Sequence, residues 1–199
     1  MNNSFINAVK TRRSIYALDK HVTKSNDEIT AIIEQAMEQA PSAFGAQPSK
    51  VIVLFNEHHD KLWHIVENSL KTIVPADKFE PTAQKIASFR AAYGTVLFFE
   101  DQQVIKDMQD KFTLYADNFP VWGMQAQGIA LYSIWSALAA DGIGASIQHY
   151  NPLIDNEVKK AWNVLDSWKL LGQMPFGNIA APAAPKSPID ITTLVKIIK

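Results

Sequence analysis

Three short segments of this 199-residue chain carry residue types that can hold a flat, anionic molecule. The first is Arg12-Arg13-Ser14. In an extended chain alternate side chains share a face, so Arg12 and Ser14 point together. A guanidinium fork beside a hydroxyl suits a phosphate, which rewards charge-assisted, bidentate donors. Taken alone, two adjacent arginines read more simply as a surface pair with ion-pair partners. The second segment runs from Pro41 to Pro48 and holds the Ser42 hydroxyl, the Phe44 ring, a flexible Gly45 and the Gln47 amide. Ligand contacts concentrate in loops fixed by rigid elements, and the Gln47 amide both donates and accepts, as the edge of a heteroaromatic ring requires. A plain helix-to-strand connector is the simpler reading of this loop in isolation. The third segment, Gly144 to Pro152, joins small residues that let a flat ring approach closely to the polar groups of Gln148, His149 and Tyr150 at a strand end. His149 by itself reads more readily as a structural histidine than as a catalyst.

Other chemistries are absent or poorly supported. The chain has no Cys, which removes disulfides, thiolate catalysis and Cys-ligated metals, and fits a reducing compartment. Gly142-Ile143-Gly144 begins like a dinucleotide fingerprint but lacks the third glycine and the following helix. His58, His59 and His64 lie close together without an HExxH pattern, so a solvated helix face is expected rather than a metal site, and no metal is assigned. A net charge of −1, with no basic run longer than two residues, argues against nucleic acid and against an anionic membrane surface. The most apolar stretch, Gly128 to Ala140, is too short to span a bilayer. Without a basic-then-apolar leader at Met1 to Phe5, a cytoplasmic location is expected.

These segments need elements to position them. A short helix is expected over 3–10. Ser25 to Glu28 matches a capping box, and Ile29, Ile32, Ile33, Ala36, Met37 and Ala40 continue it as an apolar stripe up to Pro41. Lys50–Phe55 and Gly94–Phe99 are continuous apolar runs, which predict strands covered on both faces. Helices are expected over 57–72, 81–90, 102–118, 122–140 and from Asp155 to Trp162, with strands over 145–148 and 169–175. Strands separated by so many helices predict an α+β fold, a three-layer α-β-α sandwich with a mixed central sheet. One domain is expected over 1–199, with 180–199 as an extended arm. That arm holds three prolines in Ala180–Pro188 and a strand-like stretch, Ile191 to Ile198. The sequence leaves open whether it folds back on its own domain or adds to the sheet edge of another chain.

The ordered set RRSIY at Arg12–Tyr16, PSAFGAQPS at Pro41–Ser49, YGTVLFFED at Tyr93–Asp101 and GIGASIQHYNPLID at Gly142–Asp155 resembles the nitroreductase superfamily. The likeness extends from Arg12 to about Lys186, and is nearest to the small branch that holds a copper-induced bacterial nitroreductase and fungal proteins linked to fatty-acid repression. It implies FMN at the interface of an intertwined homodimer, with the arm reaching the partner. Arg12, Arg13, Ser14 and Lys186 would serve the phosphate and ribityl end of FMN. Ser42 and Gln47 would lie near the ring and ribityl chain, and the Gln148–Tyr150 stretch, with His149, would pass the N5 region. Phe44, Tyr115, Phe119, Trp122 and Tyr150 would line the substrate side, whereas Phe112 reads as ordinary core. The implied activity is NAD(P)H-dependent reduction of small nitroaromatics or quinones, with a place in oxidative or chemical stress defence. Flavin N5 carries the chemistry, and no catalytic side chain is required. The chain departs from the family pattern in two places. Gly45 stands where an Asn is common, and Ser187-Pro188 stands where a second basic residue often follows. These departures are the best support for the competing reading, a flavin-binding stress-regulatory dimer with little turnover.

Overall fold

A computed structural model describes residues 4–199. Helix α1 (Ser4–Thr11) leads into β1 (Leu18–Asp19), and α2 (Asn26–Glu38) follows its capping box. That box closes as the sequence predicts: the Glu28 amide donates to Ser25 Oγ at 3.3 Å and the Ser25 amide to Glu28 Oε2 at 2.8 Å. Next come β2 (Ser49–Phe55), α3 (Asn56–Lys71), α4 (Glu80–Arg90), β3 (Gly94–Asp101), α5 (Gln102–Lys111), α6 (Phe119–Ala140), β4 (Gly144–Ala145), α7 (Asp155–Trp162) and β5 (Trp168–Ile179).

The strands order as β1-β5-β3-β2, with β4 also pairing β5. All these ladders are antiparallel, and the parallel component is a single bridge, Ser14 to Ala145. Strand β3 lies between β5 and β2, and its side chains alternate between two cores. Val96 and Phe98 join Ile29, Ile33, Ile134 and Leu138 beneath α2 and α6. Leu97 and Phe99 join Leu62, Trp63, Phe89 and Val158 beneath α3, α4 and α7. Two helical layers enclosing one sheet make the expected three-layer sandwich. Among the described residues no helix is long and apolar enough to cross a membrane.

Four local expectations change. The helix expected over 102–118 breaks at Phe112 (φ −127°, ψ 65°), and a 3₁₀ stretch, Thr113–Asn118, leads into α6. The break turns the Phe112 ring against Phe44, with centroids 4.7 Å apart. The strand expected over 145–148 shortens to β4, after which only Gln148 bridges back to Gln173. The strand expected at Ile191–Ile198 is a 3₁₀ turn, Ile191–Thr193, followed by irregular chain with exposed side chains. A lone strand has no ladder to stabilise it. Finally, His59 does not share a solvated face with His58 and His64: it is fully buried, bonded to Thr95 and to the Arg90 carbonyl. The helix expected over 3–10 is found from Ser4 onward, and its first expected residue, Asn3, lies outside the described residues.

Gly177 of β5 fixes where β1, and so the end of the Arg12–Ser14 segment, crosses the sheet. A Cβ on Gly177 would lie 2.5 Å from the Asp19 carbonyl oxygen and 3.0 Å from the Tyr93 amide nitrogen, both backbone atoms that cannot rotate aside. Gly177→Ala is therefore expected to destabilise the fold by about 2 kcal/mol, the usual cost of forced overpacking. Urea denaturation checks this, and an unchanged midpoint would contradict it.

Candidate functional site

The residues singled out in the sequence gather into two groups, both built on α6. In the first, Arg12, Arg13, Ser14 and Lys186 line one cleft of about 510 Å³ together with Tyr16 and the arm residues Ala181–Pro185. Its floor is positioned by backbone pairing: Ser14 bridges to Ala145, and the Ile15 amide donates to the Ala145 carbonyl at 2.9 Å. Ala183 of the arm packs against Ile15 and Leu18, and Arg13 ties the arm down by donating to the Ala184 carbonyl at 2.8 Å. Arg13 thus shapes the cleft as well as charging it. The Arg12 guanidinium lies over the ring of Trp135 on α6, 4.4 Å from its centroid, with Tyr132 at 6.0 Å. Spacing gave no sign of this Trp135 platform, although Tyr132 and Trp135 sit one turn apart on the same helix.

The Arg12 Nε is buried and lacks a hydrogen-bond partner among the described residues. Leaving a buried donor unmade is costly, and such an atom beside an open cleft marks where an acceptor belongs. The cleft lining contains three cations and no carboxylate. A phosphate monoester matches that donor set in charge and in fork geometry, so the residues present fit the phosphate end of FMN.

The second group lies further along α6. Ser42 and Gln47 line a cavity of about 290 Å³ with Pro41, Lys50, Ala126 and Ala130. Gln47 sits in a left-handed conformation (φ 50°) and is locked there from both sides. Its backbone amide donates to Ser42 Oγ at 2.8 Å, and Lys50 Nζ donates to its backbone carbonyl at 3.1 Å. Lys50 is a contributor that the sequence did not single out. Beside this loop, Phe44, Phe112, Tyr115, Phe119 and Trp122 form one cluster with neighbouring centroids 4.7–6.1 Å apart. Phe119 is its buried floor, at 2% exposure, while Phe112 is only partly covered, the reverse of the order expected for these two rings.

The third segment divides. Its backbone runs beside the Arg12–Ser14 segment, but Gln148 turns inward: its amide nitrogen donates to Ser146 Oγ at 3.2 Å and the residue is buried. His149 is exposed, with Nδ1 3.0 Å from the Leu171 carbonyl. A carbonyl only accepts, so Nδ1 carries a proton. Tyr150 leaves the expected substrate side. Its ring packs edge-on against Trp63 at 6.0 Å in the second core, and burial pushes its phenol above the ordinary value. Within one chain the phosphate-type cleft and the Ser42–Gln47 cavity share no lining residue.

The nitroreductase family model matches residues 9–178. The Saccharomyces cerevisiae protein HBN1 is 30% identical over 186 residues, covering 92% of each chain. Nitroreductase CinD from Lactococcus lactis, solved in complex with chloramphenicol, superimposes with a TM-score of 0.90 at 44% identity, over 98% of this chain and all of that one. A Desulfitobacterium hafniense nitroreductase with bound FMN shares the fold, with a TM-score of 0.73 at 17% identity, each chain covered in full. A family match across most of the chain, with close overall superposition on a nitroreductase of 44% identity, makes this protein a member of the nitroreductase family.

Proposed function

We propose that the protein is an FMN-dependent oxidoreductase that uses NAD(P)H to reduce small nitroaromatics or quinones, and that two copies of the chain build each site. The observation that carries this reading is the buried Arg12 Nε, without a partner among the described residues, in a cleft whose charged side chains are all cationic. The second copy is required because one chain splits the site. Helix α6 has 22 residues without a charged side chain. A helix apolar on all sides belongs in an interior, yet Val121, Met124, Ile129 and Tyr132 are exposed. A broad apolar groove of about 1120 Å³ runs beside them, between α6, α1 and α2. Strand β2 is an open sheet edge, and the arm carries exposed Ile191, Leu194, Ile197 and Ile198. A two-fold axis along α6 would join the phosphate cleft of one copy to the Gln47 loop and aromatic cluster of the other, with each arm reaching across.

In that arrangement the side chains bind and orient. Arg12, Arg13 and Lys186 neutralise the phosphate, and the Ser14 hydroxyl adds a neutral donor. Gln47, its backbone held by Ser42 and Lys50, would present its side-chain amide to the ring edge. FMN, when bound, supplies a site that accepts and returns a hydride. The aromatic cluster offers a flat, water-poor stacking surface, where NAD(P)H and the acceptor take turns in ping-pong order.

Freshly purified protein is expected to be yellow, to release FMN on denaturation, and to oxidise NAD(P)H only when a quinone or nitroaromatic is present. Its light-scattering mass is expected to be twice the chain's 22.2 kDa. FMN uptake without turnover would leave a flavin-binding dimer in place of an enzyme. A colourless monomer that takes up no added FMN would overturn the proposal altogether.

A further inference from the structure

Phe44 is a left-handed residue of the loop and the hub of the aromatic cluster. Its backbone is left-handed (φ 56°, ψ 16°), a region that a bulky side chain rarely adopts. Gly45 and Gln47 also have positive φ, so three of the four residues 44–47 turn the wrong way for ordinary side chains. Such strain persists only where the surroundings over-determine it, and it collects at functional sites. Here the surroundings are rings. Phe44 lies 4.7 Å from Phe112, 5.6 Å from Phe119 and 5.9 Å from both Tyr115 and Trp122, nearly parallel to Trp122 at 28°. The space beneath, lined by Ser42, Ala46, Phe119, Trp122 and Gly123, amounts to only about 10 Å³, so the cluster is closed from below. Phe44 closes it from above while remaining 54% exposed.

The rest of the loop is fixed. Gly45 and Ala46 donate to the Ser42 and Ala43 carbonyls, each at 3.1 Å, and Gln47 is held by Ser42 and Lys50. Swinging the Phe44 ring outward therefore needs no movement of Gln47. Apart from its two chain neighbours, nothing lies within 4 Å of where a Cβ on Gly45 would sit, so the loop borders open space at Gly45.

We propose that Phe44 sets the size preference for the acceptor, because its ring occupies the stacking place on Trp122 and Tyr115 that a flat acceptor must take. A centroid separation of 5.9 Å leaves no room for a second ring between Phe44 and Trp122, so an acceptor binds by displacing Phe44. A single-ring acceptor replaces one ring by another of equal area. A two-ring acceptor must push Phe44 further aside and is discriminated against. This inference rests on reading the cluster as the acceptor side.

The test is calorimetric titration of the FMN-loaded protein, without NAD(P)H, using a single-ring nitroaromatic and a two-ring naphthoquinone, followed by steady-state turnover of both. Phe44→Ala is expected to tighten the naphthoquinone Kd and lower its KM at least fivefold. The single-ring values should tighten by a smaller factor, because a single ring displaces Phe44 less far, so the ratio of the two Kd values shifts toward the naphthoquinone. Phe44→Leu, which keeps bulk in the same half-exposed place, guards against a folding artefact and is expected to fall between the two. An unchanged ratio of the two Kd values in both variants, with binding retained, overturns the role of Phe44 alone. Failure of wild-type and variant proteins alike to bind either aromatic overturns the acceptor reading itself, and this inference with it.

Discussion

Arg12→Ala is expected to weaken FMN binding about 30-fold while leaving the apoprotein nearly as stable as before. A hydrogen bond to a charged group contributes about 2 kcal/mol, which corresponds to roughly that factor in Kd. The effect on folding is small because two terms oppose. Loss of the guanidinium from the Trp135 face, at 4.4 Å, removes a contact that contributes about 1 kcal/mol. Loss of the buried, unpaired Nε removes a donor whose burial costs about the same or more. The apoprotein should therefore melt within a few degrees of wild type, as about 1 kcal/mol implies for a chain of this size. Arg12→Lys keeps the charge without the fork and should lie between, at about fivefold. Fluorescence titration of apoprotein with FMN, alongside thermal melting, reads both quantities. An unchanged Kd would remove Arg12 from the phosphate site, and a collapse of stability with unchanged Kd would make it a structural residue.

The role proposed for Arg12 can be read from the sequence because its chemistry is local: a fork and a hydroxyl two residues apart. The same holds for the Ser25 capping box and for the unbroken apolar run of β3, where neighbours in sequence determine the outcome. What failed depended on partners distant in sequence. Gln148 has the polarity of a site residue, yet its side chain is buried and donates to Ser146 Oγ. Tyr150 likewise entered the core because Trp63, from α3, stands where its ring can pack. The stretch Ile191–Ile198 has strand composition, but composition cannot supply an edge to pair with. The left-handed Phe44 had no sequence signal at all, since the rings that hold it come from α6 and the turn before it. His59 is different, because the sequence does carry its signal. His59, Leu62, Trp63 and Val66 follow the spacing of a buried helical stripe, and the fold buries all four. Only the neighbouring histidines suggested a wet surface.

That burial makes His59 the source of the largest expected pH effect. The Arg90 carbonyl, 3.1 Å from Nε2, can only accept, so Nε2 carries the proton. Nδ1 must then accept from the Thr95 hydroxyl at 2.9 Å, and Thr95 Oγ1 accepts in turn from Trp63 Nε1 at 3.1 Å. This relay of donors is complete only while the imidazole is neutral. A second proton on Nδ1 would face the Thr95 hydroxyl and charge a buried ring, and burial accordingly pushes the His59 pKa down to about 4. In the unfolded chain it titrates near 6.5. Between these values the unfolded state binds the extra proton, so the contribution of His59 to stability is complete above about pH 6.5 and is lost as pH falls toward 4. About two and a half pH units at 1.36 kcal/mol each gives a loss of roughly 3 kcal/mol across that window. Glu67 and Asp19, whose carboxyls hydrogen bonds hold below their ordinary values, add acid sensitivity only at lower pH, below about 4.5. His59→Gln can still accept from Thr95 and donate to Arg90 without titrating. It is expected to cost about 1 kcal/mol at pH 7 and to abolish most of the decline between pH 6.5 and 4.5. Urea unfolding of both proteins across that range decides it, and parallel pH profiles would mean that the imidazole is not the group whose protonation loosens the junction of α3 and β3.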